Sequence, residues 1–378
     1  MTHDVIQIAR ELIACPSVTP KDAGALDFLS TLLSSLGFEC HTLEFGEGED
    51  KVKNLFARIG TGSPHICYAG HTDVVPAGDE AAWTYGPFNP HIEDGVLYGR
   101  GASDMKGSVA AFAAACSHYL KDGALDGSIS MLITGDEEGP AINGTVKVLK
   151  WMKENGHVPD VALVGEPTNP DYLGQEIKIG RRGSLTGTLT VKGKQGHVAY
   201  QHLADNPMPR LIKMLDKLAS HPFDSGTEFF PPTNLEITTV DVGNTADNII
   251  PAKGVAKFNI RFNELWSSDT LGQKLHDIIK PLGFDYKLEL SSSAESFITK
   301  PGDWSSVVQD AVKDITGKTA KYTTNGGTSD ARFVVNYCPV VEFGGINATI
   351  HQVNENANVS DLQHLAKIFE RVLERYLG

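Results

Sequence analysis

The chain has 378 residues, 41% of them hydrophobic, which is enough for a sizeable core and for more than one domain. Lysine and arginine total 33 against 47 aspartates and glutamates, and the formal net charge of -14 repels polyanions and acidic membranes, which disfavours nucleic acid and lipid surfaces as partners. Cys15, Cys40, Cys67, Cys116 and Cys338 are odd in number and scattered, with no C-x-x-C pair, as expected of reduced thiols in a cytoplasmic protein.

The opening segment "MTHDVIQIARELIACPSVTP" carries Val5, Ile8, Ala9, Leu12 and Ile13 at helical spacing and lacks the basic start of a signal peptide, so it predicts a first helix. Short β-rich runs then alternate with helical patterns up to about residue 180. They are "ICYAG" at 66–70, a buried helix from Ser108 that is too short to span a bilayer, "SISMLIT" at 128–134, a helix near 144–155 and "VALVG" at 161–165. That rhythm predicts an α/β domain with a mostly parallel central sheet and flanking helices.

After "GRRG" at 180–183 the style changes. "SLTGTLTVKG", "MPRLIKMLDKLAS", "NLEITTVDV", "VAKFNIRFN", "TLGQKLHDIIK" and "DYKLEL" read β-α-β-β-α-β, the order of a ferredoxin-like α+β module. The expected layout is one α/β domain over 1–181 and 296–378, with the ferredoxin-like domain inserted at 182–295. The α/β style resumes with the strand "PVVEFG" and the closing helix "DLQHLAKIFERVLERYL".

In open α/β sheets ligands gather beyond the carboxyl ends of strands. Here "ICYAG" runs into His71 and Asp73, "SISMLIT" into Asp136, Glu137 and Glu138, and "VALVG" into Glu166, while "PVVEFG" leads after a loop to His351. Asp104, in "YGRGASDMKG", lies just before the buried helix. Mixed imidazole and carboxylate ligands suit zinc, and two such ions sharing one carboxylate make a hydrolytic centre with ions about 3.5–4 Å apart. The adjacent glutamates of "GDEEG" then divide the labour: one binds metal, and the other stays unligated to accept a proton from water.

On the motifs "GHTDVVP", "GRGASDMKG", "TGDEEG", "GEPT" and the late His351, in an order covering almost the whole chain, the sequence resembles the two-zinc metallopeptidase and deacylase family that includes the aminoacylases and acetylornithine deacetylase. The resemblance implies two Zn2+ per subunit, replaceable by Co2+, with His71, Asp104 and Glu166 holding one ion and Asp104, Glu138 and His351 the other. It implies Glu137 as general base, Asp73 accepting the second ring N–H of His71, and a cis peptide between Asp104 and Met105. It further implies a homodimer formed by the inserted domain. His197 would polarise the scissile carbonyl in the partner's active site, and Asn244 or Asn248 of "GNTADNIIP" would help to close over substrate.

The longer phrases "TGDEEGPAINGT", "GRRGSLTGTLTVKGKQGHVAYQHLADNP" and "NGGTSDARF" are similar to those of family members that hydrolyse N-succinyl-LL-2,6-diaminopimelate, a step in lysine and diaminopimelate biosynthesis. The metal motifs alone leave a sibling deacylase open, with acetylornithine or another acyl amino acid as substrate. Such an anionic substrate needs local cations, and arginine matches carboxylate geometry. Arg181 and Arg182 sit in a glycine-flanked turn, and Arg261 lies on the polar side of "KFNIRFN".

The resemblance tips Arg181 and Arg261 towards substrate binding and leaves Arg182 a structural part, while the paired glycines of "NGGT" allow close backbone approach and Thr328 offers a hydroxyl, as a substrate loop would. Pattern alone reads Arg261 equally as a solvated strand residue, "NGGT" as a tight turn and His197 as a locally hydrogen-bonded side chain. A catalytically silent metal-binding protein is the rival of another class, and an unligated Glu137 beside Glu138 argues against it. A serine hydrolase lacks its G-x-S-x-G elbow here.

Overall fold

Asp4 starts the first helix, Val5–Ile13, by accepting the backbone N–H groups of Ile6 and Gln7, and Val5, Ile8, Ala9, Leu12 and Ile13 are its buried residues. The computed structural model describes residues 3–122 and 125–378. The chain forms two units: Met1–Ile179 with Thr299–Thr323 and Ser329–Gly378, and Gly180–Ile298 with Thr324–Thr328.

The first unit is built on an eight-stranded sheet: β1 (Glu39–Phe45), β2 (Val52–Ile59), β3 (His65–His71), β4 (Ser128–Thr134), β5 (Val161–Val164), β6 (Glu176–Lys178), β7 (Lys321–Thr323) and β8 (Val340–Glu342), in the spatial order β1-β2-β4-β3-β5-β8-β6-β7. The centre is parallel, β3 pairing with β4 and β5 and β5 with β8. Every residue of β3, β4 and β5 is buried, so these strands read as largely apolar runs in the sequence.

The edge hairpin, in which β2 runs antiparallel to both β1 and β4, has no counterpart in the sequence reading. Strand β1 is half exposed and rich in polar residues, so its pattern is weak. The buried helix runs Lys106–Tyr119, starting two residues before the expected Ser108, and the closing helix runs Val359–Leu377. Tyr68 of β3 stacks on Phe112 of the buried helix at 4.3 Å between centroids, and Phe369 of the closing helix meets both rings edge-on at 5.7 Å. These contacts hold the layers together and set the base from which the loops after the strands project.

In the second unit the strands Gly183–Lys192, Asn234–Asp241, Lys253–Phe262 and Lys287–Ala294 alternate with the helices Met208–Ala219 and Ser268–Ile279. The antiparallel sheet places them in the order second, third, first, fourth, the split β-α-β arrangement. Its own core gathers Leu185, Leu189, Leu211, Leu215, Phe258, Ile260, Leu271 and Leu275. Among the described residues no helix is long and apolar enough to cross a membrane. All five cysteines are free thiols.

Candidate metal centre

Four turns of the first unit converge. His71 ends β3, Glu138 lies in the turn after β4, Glu166 follows β5, and His351 comes from the loop beyond β8. Asp104 stands just before the buried helix, and its peptide bond to Met105 is cis. The ligand-type atoms form two triads, His71–Asp104–Glu166 and Asp104–Glu138–His351, each within 4.8 Å.

Asp104 belongs to both triads through different oxygens. Its Oδ1 lies 3.3 Å from His71 Nε2, and its Oδ2 lies 3.3 Å from His351 Nε2. His71 Nε2 is also 3.7 Å from Glu166 Oε1, and His351 Nε2 is 2.9 Å from Glu138 Oε1. His71 Nε2 and Asp104 Oδ1 are buried with no hydrogen-bond partner among the described residues. Buried polar atoms are normally paired, so two orphans facing each other within a nitrogen and oxygen donor set fit a pair of divalent ions.

The three consecutive acids have different environments. Asp136 Oδ2 accepts the N–H groups of Ile142 (2.9 Å) and Asn143 (2.8 Å), so this residue shapes the turn. Glu138 joins a triad. Glu137 belongs to neither triad, and its carboxylate makes no hydrogen bond or ion pair among the described residues. Loss of hydration, and then the neighbouring Glu166, Asp330 and Glu138 charges, raise its carboxyl well above the usual carboxylate range against the opposing pull of His71.

Asp73 corrects the expected contact. The ring of His71 meets the backbone carbonyl of Asp73, Nδ1 to O 2.9 Å, while the carboxylate stands 3.7 Å away. The chain turns tightly after β3, which brings the carbonyl two residues on beside the ring. Donation from Nδ1 to that carbonyl would fix the ring with Nε2 facing the triad. The Asp73 carboxylate instead accepts the N–H groups of Glu137 (3.2 Å) and Glu138 (3.1 Å), tying the acid turn to the His71 loop.

Hydrogen bonds to Asp104 and Glu138 push His351 up to about 10, so without an ion the ring is protonated at neutral pH. An imidazole binds a metal only as the neutral ring, and an entering ion must therefore displace that proton. Affinity at the His351 triad is expected to rise about tenfold per pH unit between roughly 7 and 9, with about one proton released. Calorimetric titration in buffers of different protonation enthalpy measures both quantities. An affinity independent of pH would contradict this charge state.

Gly165 supports Glu166 by its lack of a side chain. An added Cβ would lie 1.9 Å from Tyr68 Oη and 2.7 Å from Ser108 Oγ. Gly165→Ala is expected to cost about 1–3 kcal/mol by overpacking, read by denaturant unfolding, and to weaken the first triad. A variant of parental stability would show that the buried Tyr68 ring can yield.

Residues 67–375 match the model of peptidase family M20/M25/M40. The chain belongs to this family. It is 56% identical over 380 residues to a succinyl-diaminopimelate desuccinylase of Rhodospirillum centenum, covering 100% of this chain and 98% of that protein. To the desuccinylase of the same name from Parvibaculum lavamentivorans it is 52% identical, covering 100% and 96%. Among solved structures it resembles an M20 metallo-carboxypeptidase of Sulfolobus solfataricus, with a TM-score of 0.81 at 19% identity over 99% of both chains. It also resembles a Bacillus subtilis protein described as a dinuclear metal-binding M20 peptidase, with a TM-score of 0.72 at 16% identity over 99% of this chain and 97% of that one.

The second unit of this M20 chain carries the remaining candidates. His197 is exposed, its Nδ1 accepts the N–H of Ala199 at 3.1 Å, and it pairs in register with Ile249. Val198 N–H donates to the Asn248 carbonyl, and the Asn244 amide donates to the Ile249 carbonyl, so His197, Asn244 and Asn248 share one loop cluster. Arg181 is 6% exposed, and its Nη1 donates to the carbonyls of Asn325 and Gly327 beside Thr328. Arg182 donates to Asn234 Oδ1, and Arg261 sits opposite both Ser184 and Asn234 in the sheet.

The sequence reading missed Arg100 and Glu355, a buried pair joined at 2.7 Å. Their only sequence signal is proximity, Arg100 standing four residues before Asp104 and Glu355 four residues after His351.

Proposed function

We propose that the protein is a two-zinc amide hydrolase that converts N-succinyl-LL-2,6-diaminopimelate and water to succinate and LL-2,6-diaminopimelate, working as a cytoplasmic homodimer. The hydrolytic reading is carried by Asp104, whose two oxygens are divided between two histidine-containing triads beside an unengaged Glu137. The choice of substrate is supported by end-to-end similarity to two desuccinylases at 56% and 52% identity.

Bound zinc ions supply Lewis-acid polarisation of the scissile carbonyl and lower the pKa of water to about 7. His71, Asp104 and Glu166 would hold one ion, and Asp104, Glu138 and His351 the other. Glu137 takes a proton from the attacking water and returns it to the leaving amine. Arg181, Arg261 and Thr328 receive substrate carboxylates through bidentate and hydroxyl hydrogen bonds, with Asn244 or Asn248 closing over the chain. His197 of the second copy donates to the carbonyl oxygen as negative charge develops there.

Turnover by zinc-loaded protein tests the proposal. The kcat/KM for the succinyl substrate is expected to exceed that for its acetyl analogue by at least about a hundredfold, because cations left facing a missing carboxylate penalise the smaller acyl group. Faster turnover of acetylornithine would move the protein to the sibling deacylases.

A further inference from the structure

Glu355 is fully buried, and one of its oxygens, Oε1, accepts three successive backbone donors of the Asp104 loop: Gly101 N–H at 3.1 Å, Ser103 N–H at 3.0 Å and Asp104 N–H at 3.0 Å. Its other oxygen accepts Arg100 Nη1 at 2.7 Å. Arg100, 2% exposed, reaches further, with Nη1 3.3 Å from the Gln352 carbonyl, and Nη2 3.3 Å from the Pro76 carbonyl and 3.5 Å from the His351 carbonyl. A single ion pair thus touches the Asp104 loop, the His351 loop and the segment that follows His71 and Asp73.

Buried ion pairs contribute little net stability, because loss of hydration offsets their attraction. Their directional bonds do fix geometry. His351 and Asn354 both adopt positive φ, at 61° and 60°, so the loop between His351 and Glu355 holds a strained backbone path that needs outside support.

We propose that Glu355, held by Arg100, is a positioning residue that sets the separation of Asp104 and His351 and so the spacing of the two metal sites. This rests on the two-metal reading above. Glu355 touches neither ligand side chain: it grips the backbone from which Asp104 projects, while Arg100 grips the backbone behind His351.

The test is calorimetric titration of metal-free protein with zinc ions, using parent, Glu355→Gln, Arg100→Lys and His351→Ala, the last identifying the step that belongs to the His351 triad. Glu355→Gln keeps the volume and one acceptor oxygen but turns an amide N–H2 towards existing donors. Both zinc affinities are expected to fall by about tenfold or more, because Asp104 serves both sites. Arg100→Lys keeps the charge opposite Glu355 but loses the forked reach to Pro76 and His351, so its loss is expected mainly at the His351 step.

Circular dichroism of the metal-free proteins separates a positioning effect from unfolding. If Glu355→Gln fails to fold, Arg100→Lys decides the matter. A folded Glu355→Gln with parental affinity at both steps, or Arg100→Lys with a parental His351 step, overturns the proposal. The parent's own titration is a separate check: fewer than two zinc ions per chain would refute the two-metal reading itself, and this inference with it.

Discussion

Glu137→Gln is expected to lower kcat by about 10²–10⁴-fold while bound zinc stays at the parental content. The amide has the shape of the carboxylate but cannot accept the proton of the attacking water. Glu137 stands outside both triads, so no ligand is lost. Its backbone is held independently, because the Asp73 carboxylate takes its N–H and Asp136 anchors the rest of the turn through Ile142 and Asn143. Steady-state kinetics paired with atomic absorption on the same preparation measures both quantities. Loss of zinc in parallel with activity would exchange the roles of Glu137 and Glu138.

His197→Ala is expected to reduce kcat by about 10²–10³-fold, the usual effect of removing one donor to a developing oxyanion. In the structure Nδ1 of this ring accepts the Ala199 N–H, so the neutral tautomer carries its proton on the exposed Nε2 and is already a donor.

If the donor works in trans, mixing Glu137→Ala chains with His197→Ala chains under subunit exchange restores activity. Random pairing of a two-fold dimer makes half of the dimers mixed, and each mixed dimer has one complete site, so recovery approaches about a quarter of the parental rate. Native mass spectrometry verifies the exchange. Exchange without recovered activity would place His197 in its own chain's chemistry or outside catalysis.

Acidity at the centre governs how both variants behave. In the metal-free protein the His351 proton must leave before that ligand can bind, so comparisons between variants belong at one pH and at saturating zinc. Otherwise a change in metal affinity would pass for a change in catalytic power.

The sequence by itself determined the elements whose physics is local or strictly periodic. Strands β3, β4 and β5 are buried on both faces and so appear as largely apolar runs, and the charged or imidazole residue that follows each run is then a strand-end residue: His71, Asp136 or Glu166. The first helix and the β-α-β-β-α-β order of the second unit were legible for the same reason, because burial imposes a period on neighbouring residues. The edge strand β1 was not, since exposure on an outer face leaves no such imprint.

Tertiary structure alone decided how the acids divide their work. Nothing in "GDEEG" says that Asp136 turns inward to Ile142 and Asn143, or that the Asp73 carboxylate holds the acid turn while its carbonyl meets His71. Arg100 and Glu355 are 255 positions apart, and a hydrogen bond closed over that separation depends on where the whole sheet brings two loops, which no local periodicity encodes.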